Sequence, residues 1–237
     1  MPLRIAFDLD GTLADFETAF RRHAQRSYGT DATDPDSVEP EAREAEERTL
    51  AEHGTTPAVT PGSPLTRRQR LDDVWGAIEA TPNFWTSLHP IEPGVVVRIR
   101  EMAEQHRWEV FFITQRPGTK GETVQRQSQR WLIQQGFDMP SVIVLSGPRG
   151  KLAAALQLDY LVDDSAKNGV DVISDSKARV LLVVRNSDEM AEASARRLGL
   201  RVVRTIGEAL EILEHATEAT TQPTVLARLA RLVGWRR

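Results

Sequence analysis

The chain has 237 residues, with 30 Lys and Arg against 34 Asp and Glu, which gives a formal net charge of −4 at pH 7. This near balance provides no strong overall field directed at nucleic acid or at a membrane. Because 40% of the residues are hydrophobic, the chain can form a buried hydrophobic core, and disorder along its whole length is excluded. The sequence contains no cysteine, so disulfides, thiolate metal sites and a cysteine nucleophile are excluded as well.

The sequence predicts neither a membrane span nor a secretion signal. No apolar run exceeds five residues, as in Val180 to Val184, whereas a transmembrane helix needs about 20. An Asp-containing strand pattern follows the first residues directly, without the apolar stretch of a secretion signal. We therefore expect a soluble cytoplasmic protein.

Short runs rich in β-branched and aromatic residues recur along the chain and predict strands. In chain order they cover residues 4–7, 109–113, 142–145, 160–162, 180–184 and 201–203. Runs without polar alternation are typical of strands buried on both faces, as in a parallel sheet. Helical spacing lies between them, over residues 93–105, 123–135, 150–157 and 187–198. This alternation predicts an α/β fold with a doubly wound, Rossmann-like parallel sheet.

Residues 16–90 interrupt the alternation of strands and helices. They contain an acidic stretch over 39–52, a segment rich in Pro, Thr and Gly over 55–64, and a helical pattern from Thr66 to Ile78. No convincing strand pattern lies among them. We interpret this block as a mostly helical insertion after the first strand, with the Pro-rich segment as a loop.

The remaining core is assigned to residues 1–15 and 91–215, and the end of the chain differs from it in composition. Residues 217–223 predict a linker, and the residues after it predict a basic amphipathic helix with one apolar stripe formed by Leu226, Leu229 and Val233. Residues 216–237 would then dock on the same chain, on a partner or on a membrane surface.

The most informative segment is Asp8-Leu9-Asp10-Gly11-Thr12, directly after the first predicted strand. Asp8 and Asp10 are two positions apart, hence on one face of a regular strand, and Gly11 permits a sharp turn that brings Asp10 beside Asp8. Ligand sites in open α/β sheets lie at the carboxyl ends of the strands. Two carboxylates there repel each other unless a cation lies between them, and hard oxygen ligands suit Mg²⁺. The alternative is that Asp-Gly merely closes a turn.

Three further features lie where such a site needs them. Thr114 ends the second predicted strand, Lys151 begins a predicted helix, and Asp163 and Asp164 end the strand over 160–162. Each has a plain alternative, as a helix cap, a surface charge and a turn respectively. Their order and their placement at strand ends together favour a functional site.

These motifs, in this order, resemble those of the haloacid dehalogenase superfamily: Asp8-x-Asp10-Gly-Thr, Thr114, Lys151 and Asp163-Asp164. The resemblance covers residues 3–14 and 91–185, and it implies that the insertion is a C1-type cap. More narrowly, three short segments resemble the 5′(3′)-deoxyribonucleotidase branch of that superfamily, namely residues 81–88, 93–94 and 113–117.

The resemblance implies a phosphatase that works through an aspartyl-phosphate. Asp8 would be the nucleophile, and Asp10 would protonate the leaving group and then deprotonate the attacking water. A carboxylate at the position of Asp10 marks the phosphotransfer members, which disfavours halide chemistry. Thr114 would bind a phosphoryl oxygen, and Lys151 would neutralise the phosphate and Asp8 together.

The same resemblance implies a magnesium cofactor. Mg²⁺ would be held by Asp8, the carbonyl of Asp10 and Asp163, where it would offset the charge of two approaching anions. Asp164 would orient the ligands around the ion.

Substrate selection is expected from the insertion and from the loops. Phe84 and Trp85 precede the return of the chain to the core, where they would either stack on a planar group or pin the insertion to the core. Gln115 and Arg116 follow Thr114, and Arg116 would either grip phosphate or sugar or form a surface salt bridge.

The favoured reading of the sequence is a Mg²⁺-dependent phosphomonoesterase acting on a small phosphorylated metabolite, with a nucleoside monophosphate as first choice. The alternatives are a phosphatase or mutase for another metabolite such as a phosphosugar, and a non-catalytic binding protein of the same fold. No basic stripe crosses the core, so extended nucleic acid is not expected as a partner. The sequence leaves open whether the chain forms a homodimer.

Overall fold

A computed structural model describes residues 2–28, 67–185 and 189–221. Within these residues the strands form one six-stranded, all-parallel sheet in the order β3-β2-β1-β4-β5-β6. The predicted α/β fold with a doubly wound parallel sheet is therefore confirmed. The strands are β1 (Arg4–Asp8), β2 (Glu109–Thr114), β3 (Ser141–Val144), β4 (Tyr160–Asp163), β5 (Arg179–Val183) and β6 (Arg201–Val203).

Helices flank the sheet and follow its strands along the chain. They are α1 (Phe16–Tyr28), α2 (Arg67–Ala80), a short 3₁₀-helix (Phe84–Thr86), α3 (Val95–His106), α4 (Val124–Gln134), α5 (Arg149–Leu156), α6 (Ala166–Asp175), α7 (Glu189–Arg197) and α8 (Ile206–Thr221). The four core helices that the spacing predicts are found with boundaries within two residues. None of the helices in the described ranges is long and apolar enough to cross a bilayer.

Both faces of the sheet are buried, which explains the lack of polar alternation in its strands. Successive side chains of a strand point to opposite faces. Accordingly, Ile5 and Phe7 of β1 pack in an apolar layer with α3, α4 and α8, while Ala6 packs in a second layer with α5, α6 and α7. This arrangement places β1 in the middle of the molecule, with its carboxyl end free to form a site.

The described part of the insertion is helical and packs on itself. The ring of Phe16 at the start of α1 stacks on that of Trp75 in α2, with centroids 5.4 Å apart. The segments that join the insertion to the core run side by side, since the Asp15 N–H donates to the His89 carbonyl at 2.8 Å. The predicted acidic stretch and the Pro-rich segment lie outside the described residues, so the C1-type cap stays a prediction.

The predicted linker over 217–223 is wrong for its first five residues, because α8 continues to Thr221. The Thr217 hydroxyl accepts a hydrogen bond from the Trp108 indole at 2.8 Å and donates to the Leu213 carbonyl at 2.9 Å. These bonds hold the last turns of α8 against the start of β2. The predicted basic helix beyond this point lies outside the described residues.

Candidate active site

The register of the sheet brings three of the sequence motifs to one edge. Asp8, the last residue of β1, pairs with Ile113, and Phe7 pairs with Val162. The next residues of β2 and β4 are Thr114 and Asp163, so both end their strands beside Asp8. The carboxyl end of a central strand is where a doubly wound sheet places its ligand site.

Asp10 lies in a tight turn that follows β1. The Leu9 carbonyl accepts from the N–H groups of Leu13 and Ala14 at 2.8 and 2.7 Å, which closes the turn. Gly11 has a φ of 79° there, in the left-handed region that a side chain disfavours. The turn therefore depends on glycine and holds the backbone of Asp10 next to Asp8, as the Asp-Gly pattern predicts.

Asp8, Asp163 and Asp164 form a cluster of carboxylates, here called the acidic cluster. One oxygen of each lies within 4.8 Å of the others, and Asp8 and Asp163 are only 3% and 0% exposed. The Ser165 N–H donates to Asp163 at 2.8 Å, and the Thr12 hydroxyl donates to Asp164 at 3.1 Å. Three converging hard oxygen donors form a ligand set that suits Mg²⁺.

The cation beside this cluster is Arg149, the first residue of α5. Its Nη2 lies 2.7 Å from Asp8 Oδ1, and its Nη1 donates to Asp163 Oδ2. The neighbouring Gly150 allows α5 to pack closely on α6, since a Cβ there would lie 2.4 Å from the Asp171 carbonyl oxygen. The Gly150 N–H also donates to the Asp171 carboxylate at 2.7 Å. This close packing fixes the start of α5 with Arg149 directed at the carboxylates.

The contact with Asp8 that we predicted for Lys151 is therefore made by Arg149 instead. Two residues of an α-helix are separated by about 200° around its axis. Because Arg149 is buried on the side of the acidic cluster, Lys151 lies on the opposite side of α5 and is exposed. The helix begins at Arg149, so the basic residue that contacts Asp8 lies two positions before the residue that we predicted.

Burial is the main influence on Asp8 and raises its pKa well above the usual value. Arg149 opposes this effect, whereas the charges of Asp163, Asp164 and Asp10 add to it. With its three carboxylates ionised, the acidic cluster and Arg149 together carry a net charge of −2. A divalent cation would balance that charge, so the acidic cluster is able to hold a metal ion.

We expect Asp8→Asn to raise the free energy of unfolding of the metal-free protein at neutral pH. Each ~1 kcal/mol of added free energy should raise the melting temperature by about 2–4 °C. The pKa of Asp8 is raised in the folded protein, so protonated Asp8 favours the folded state more than ionised Asp8 does. This contribution to the free energy of unfolding is lost as the pH rises through the raised pKa. The difference in melting temperature between Asp8→Asn and the wild type should therefore disappear at acidic pH. Thermal denaturation in EDTA from acidic to neutral pH measures it.

A matched control for this measurement is Asp138→Asn, which neutralises an exposed carboxylate. At each pH of the same range, the melting temperature of Asp138→Asn should equal that of the wild type. An Asp8→Asn protein that is less stable than the wild type at neutral pH would contradict the expectation, because the bond to Arg149 would then outweigh the cost of burying the charge.

The carboxylate of Asp10 is held by Arg116 and Thr114. Arg116 Nε donates to Asp10 Oδ2 at 2.6 Å and its Nη2 donates to Oδ1 at 2.7 Å, while the Thr114 hydroxyl donates to Oδ2 at 3.1 Å. The side chain of Arg116 is 0% exposed and is paired with Asp10, so the predicted surface salt bridge is not found and the binding of phosphate or sugar does not fit this burial. The physical reason is that a guanidinium matches a carboxylate in forked geometry.

Phe84 and Trp85 pin the insertion to the core. Both are buried, and the Trp85 indole donates to the Pro117 carbonyl at 3.1 Å. The Trp85 N–H donates to the Gln127 side chain at 3.1 Å, and the Arg116 guanidinium carbon lies 4.7 Å from the Trp85 ring centroid. The stacking of Trp85 on a substrate, one of the two predicted alternatives, does not fit this burial. Gln115 is half-buried beside Thr114 and stays a candidate.

Arg185 is a residue of the site that the sequence analysis missed. It follows β5 and donates to the carbonyls of Gly11 and Thr12, at 2.8 Å for the latter. These bonds fasten the turn that carries Asp10. The only signal in the sequence is a basic residue after a strand end, which is too common to single out.

No protein-family model matches the chain. Among solved structures, it is similar to a Thermotoga maritima protein described as a β-phosphoglucomutase, with 20% identity over 90% of this chain and 99% of that chain, and a TM-score of 0.54. An L-2-haloacid dehalogenase from Xanthobacter autotrophicus matches with 14% identity over 90% and 99%, at a TM-score of 0.53. A haloacid dehalogenase-like hydrolase from Streptococcus pneumoniae matches with 13% identity over 89% and 98%, at a TM-score of 0.51.

These similarities show that the chain has the fold of the haloacid dehalogenase superfamily. The neighbours include a mutase and enzymes of halide chemistry, so the fold by itself does not select a reaction.

Proposed function

We propose that the protein is a Mg²⁺-dependent phosphomonoesterase in which Asp8 becomes transiently phosphorylated. The observation that carries this proposal is the convergence of Asp8, Asp163 and Asp164 with Arg149 at the carboxyl end of the central strand. Phosphoryl transfer needs mainly positioning and charge compensation, and this group of side chains supplies both.

The acidic cluster, Arg149 and Asp10 then each have a role in the transfer. The Asp8 carboxylate attacks phosphorus, and Arg149, which contacts Asp8, offsets the charge of the phosphoryl group beside it. Asp10 protonates the departing oxygen and later takes a proton from water. Asp8, Asp163 and Asp164 would hold Mg²⁺, whose chemical contribution is to balance the negative charge of the carboxylates and the phosphate.

The substrate that we propose first is a nucleoside monophosphate, supported by the resemblance of residues 81–88 and 113–117 to the deoxyribonucleotidase branch. A second candidate is a phosphosugar, because a structural neighbour is described as a β-phosphoglucomutase. A phosphatase and a mutase differ in whether water or a second sugar hydroxyl accepts the phosphoryl group, so released phosphate separates them.

The test is a panel of nucleoside monophosphates, deoxynucleotides and phosphosugars, scored by released phosphate with Mg²⁺ or with EDTA. We expect turnover with Mg²⁺ and a loss of about 10²-fold or more in EDTA, restored by added Mg²⁺, since the charge of the acidic cluster is then uncompensated. Equal turnover in EDTA would contradict the metal dependence. Absence of phosphate release from every phosphoester would favour the non-catalytic binding protein.

A further inference from the structure

Asp10 and Arg116 form an ion pair, here called the clamp, in which Arg116 is buried and the Asp10 side chain is 21% exposed. Two nitrogens of Arg116 donate to the two oxygens of Asp10, at 2.6 and 2.7 Å. Asp10 comes from the turn after β1 and Arg116 from the loop after β2, so the clamp joins two separate parts of the chain. A bidentate pair of this kind fixes orientation as well as distance.

The guanidinium of Arg116 is itself fixed on its other sides. Its Nη1 donates to the buried Ser128 hydroxyl at 2.8 Å, and its central carbon lies 4.7 Å from the ring centroid of Trp85. Trp85 in turn contacts Phe16 of α1, with ring centroids 5.6 Å apart. Arg116 is thereby locked between α4 and the aromatic residues that join the insertion to the core.

We infer that Arg116 is a positioning residue for Asp10 and that it does not bind substrate. This inference rests on the proposed function, since Asp10 is taken as the group that moves protons. The side chain of Arg116 is 0% exposed, so a substrate arriving from solvent does not meet it. Because neighbouring side chains fix the rotamer of Arg116, Arg116 can hold Asp10 in the orientation that proton transfer requires.

Asp10 serves in both halves of the proposed reaction. In the first, Asp8 forms a bond to phosphorus, the bond to the leaving oxygen breaks, and protonated Asp10 passes its proton to that oxygen, which leaves Asp10 as the carboxylate that accepts both hydrogen bonds from Arg116. In the second, water attacks phosphorus, its proton returns to Asp10, and the bond between phosphorus and Asp8 breaks to release phosphate. The orientation set by Arg116 therefore affects both steps when the leaving group needs a proton, and only the second step when it does not.

The experiment compares Arg116→Ala and Arg116→Lys with the wild type, using p-nitrophenyl phosphate and the best substrate of the panel. With the panel substrate, for which both steps slow together, we expect kcat to fall by about 10²–10³-fold with KM nearly unchanged, because general acid–base catalysis contributes that much and substrate contacts are intact. With p-nitrophenyl phosphate, whose leaving group needs no proton, only the second step slows, so a burst of one nitrophenolate per site should precede slow turnover and kcat and KM should fall together. Arg116→Lys should recover part of kcat, since a lysine supplies charge without the fork.

Arg130→Ala is a matched control, because Arg130 is an exposed arginine on the same helix as Ser128 and is paired with Glu122 at 2.7 Å. It should retain wild-type kinetics. Should Arg116→Ala fail to fold, Ser128→Ala removes only one anchor of the guanidinium, and we expect kcat to fall severalfold with the same burst. Circular dichroism and melting temperatures identify the folded variants.

Three results would overturn the inference while wild-type turnover stands. One is a raised KM with unchanged kcat in the Arg116 variants, which would make Arg116 a substrate-binding residue. Another is wild-type kinetics in folded Arg116 variants. The third is a fall in kcat without any burst. A wild-type protein that turns over no phosphoester would instead overturn the proposed function itself, and the inference with it.

Discussion

Asp8→Asn is expected to abolish turnover, with kcat lowered by about 10⁴-fold or more. The amide keeps the size of the carboxylate but is not a nucleophile, so no phosphoenzyme forms. Asp8 is the last residue of β1, and the nearby carboxylate of Asp10 is held by Arg116 and so does not replace it. Initial rates of phosphate release at saturating substrate and Mg²⁺ measure the loss.

The control for this loss is the stability of the same variant. Asp8→Asn should melt no lower than the wild type in EDTA at neutral pH, so a variant that is folded but inactive separates the loss of chemistry from a loss of fold. Retention of more than about a tenth of wild-type kcat would contradict a nucleophilic role, because removal of a true nucleophile costs orders of magnitude.

Arg149→Met is the second substitution for which a large effect is expected, with kcat/KM lowered by about 10²–10³-fold. Methionine fills a similar volume but leaves Asp8 and Asp163 without the guanidinium that contacts both. The removal of one partner from a buried ion pair also destabilises a protein by about 3–5 kcal/mol, since the remaining charge is uncompensated. The measurement is kcat/KM at saturating Mg²⁺, together with the melting temperature.

The matched comparison is Lys151→Met, two positions later on the same helix. Because Lys151 is exposed, its loss should change kcat/KM by no more than about twofold, as for surface substitutions in general. The reverse outcome, a large loss at Lys151 and a small one at Arg149, would mean that α5 presents its other side to the substrate. Lys151, as predicted from the sequence, would then be the basic residue that acts on the substrate in place of Arg149.

The layout of the sheet could be predicted because it depends on local composition. Strands such as β1 and β5 are continuous apolar runs, and only a sheet covered on both faces buries such runs completely. The ends of β1, β2 and β4 follow from the polar residue that stops each of these three runs, which is why Asp8, Thr114 and Asp163 were placed correctly at one edge. These features require no knowledge of how distant side chains meet.

Two core helices were missed for different reasons. In α6, Gly169 and the β-branched residues around it weaken the helical signal, and its formation depends on packing against α5 and β5. In α8 the helical signal is present in the sequence, since apolar residues recur there at helical spacing, but we did not predict a helix from it. These residues, all buried, are Ile206, Ala209, Leu210 and Leu213.

The identities of the charged partners could not be predicted from the sequence. Whether Arg149 or Lys151 faces Asp8 depends on the rotation of α5 about its axis, which is set by the contact of Gly150 with Asp171. The direction of the Arg116 side chain depends on Ser128 and Trp85, which are distant in the sequence. Long side chains reach several neighbours, and only the packed structure selects one.

Formation of an aspartyl-phosphate can be observed by quenching the wild-type protein with acid during turnover of p-nitrophenyl phosphate in Mg²⁺. Peptide mass spectrometry then locates the phosphoryl group. We expect it on Asp8, at up to one per chain, with a larger steady-state fraction in Arg116→Ala and none in Asp8→Asn. A phosphoryl group on another residue, or steady product formation with no phosphorylated peptide at any quench time in the wild type or in Arg116→Ala, would contradict the proposed reaction.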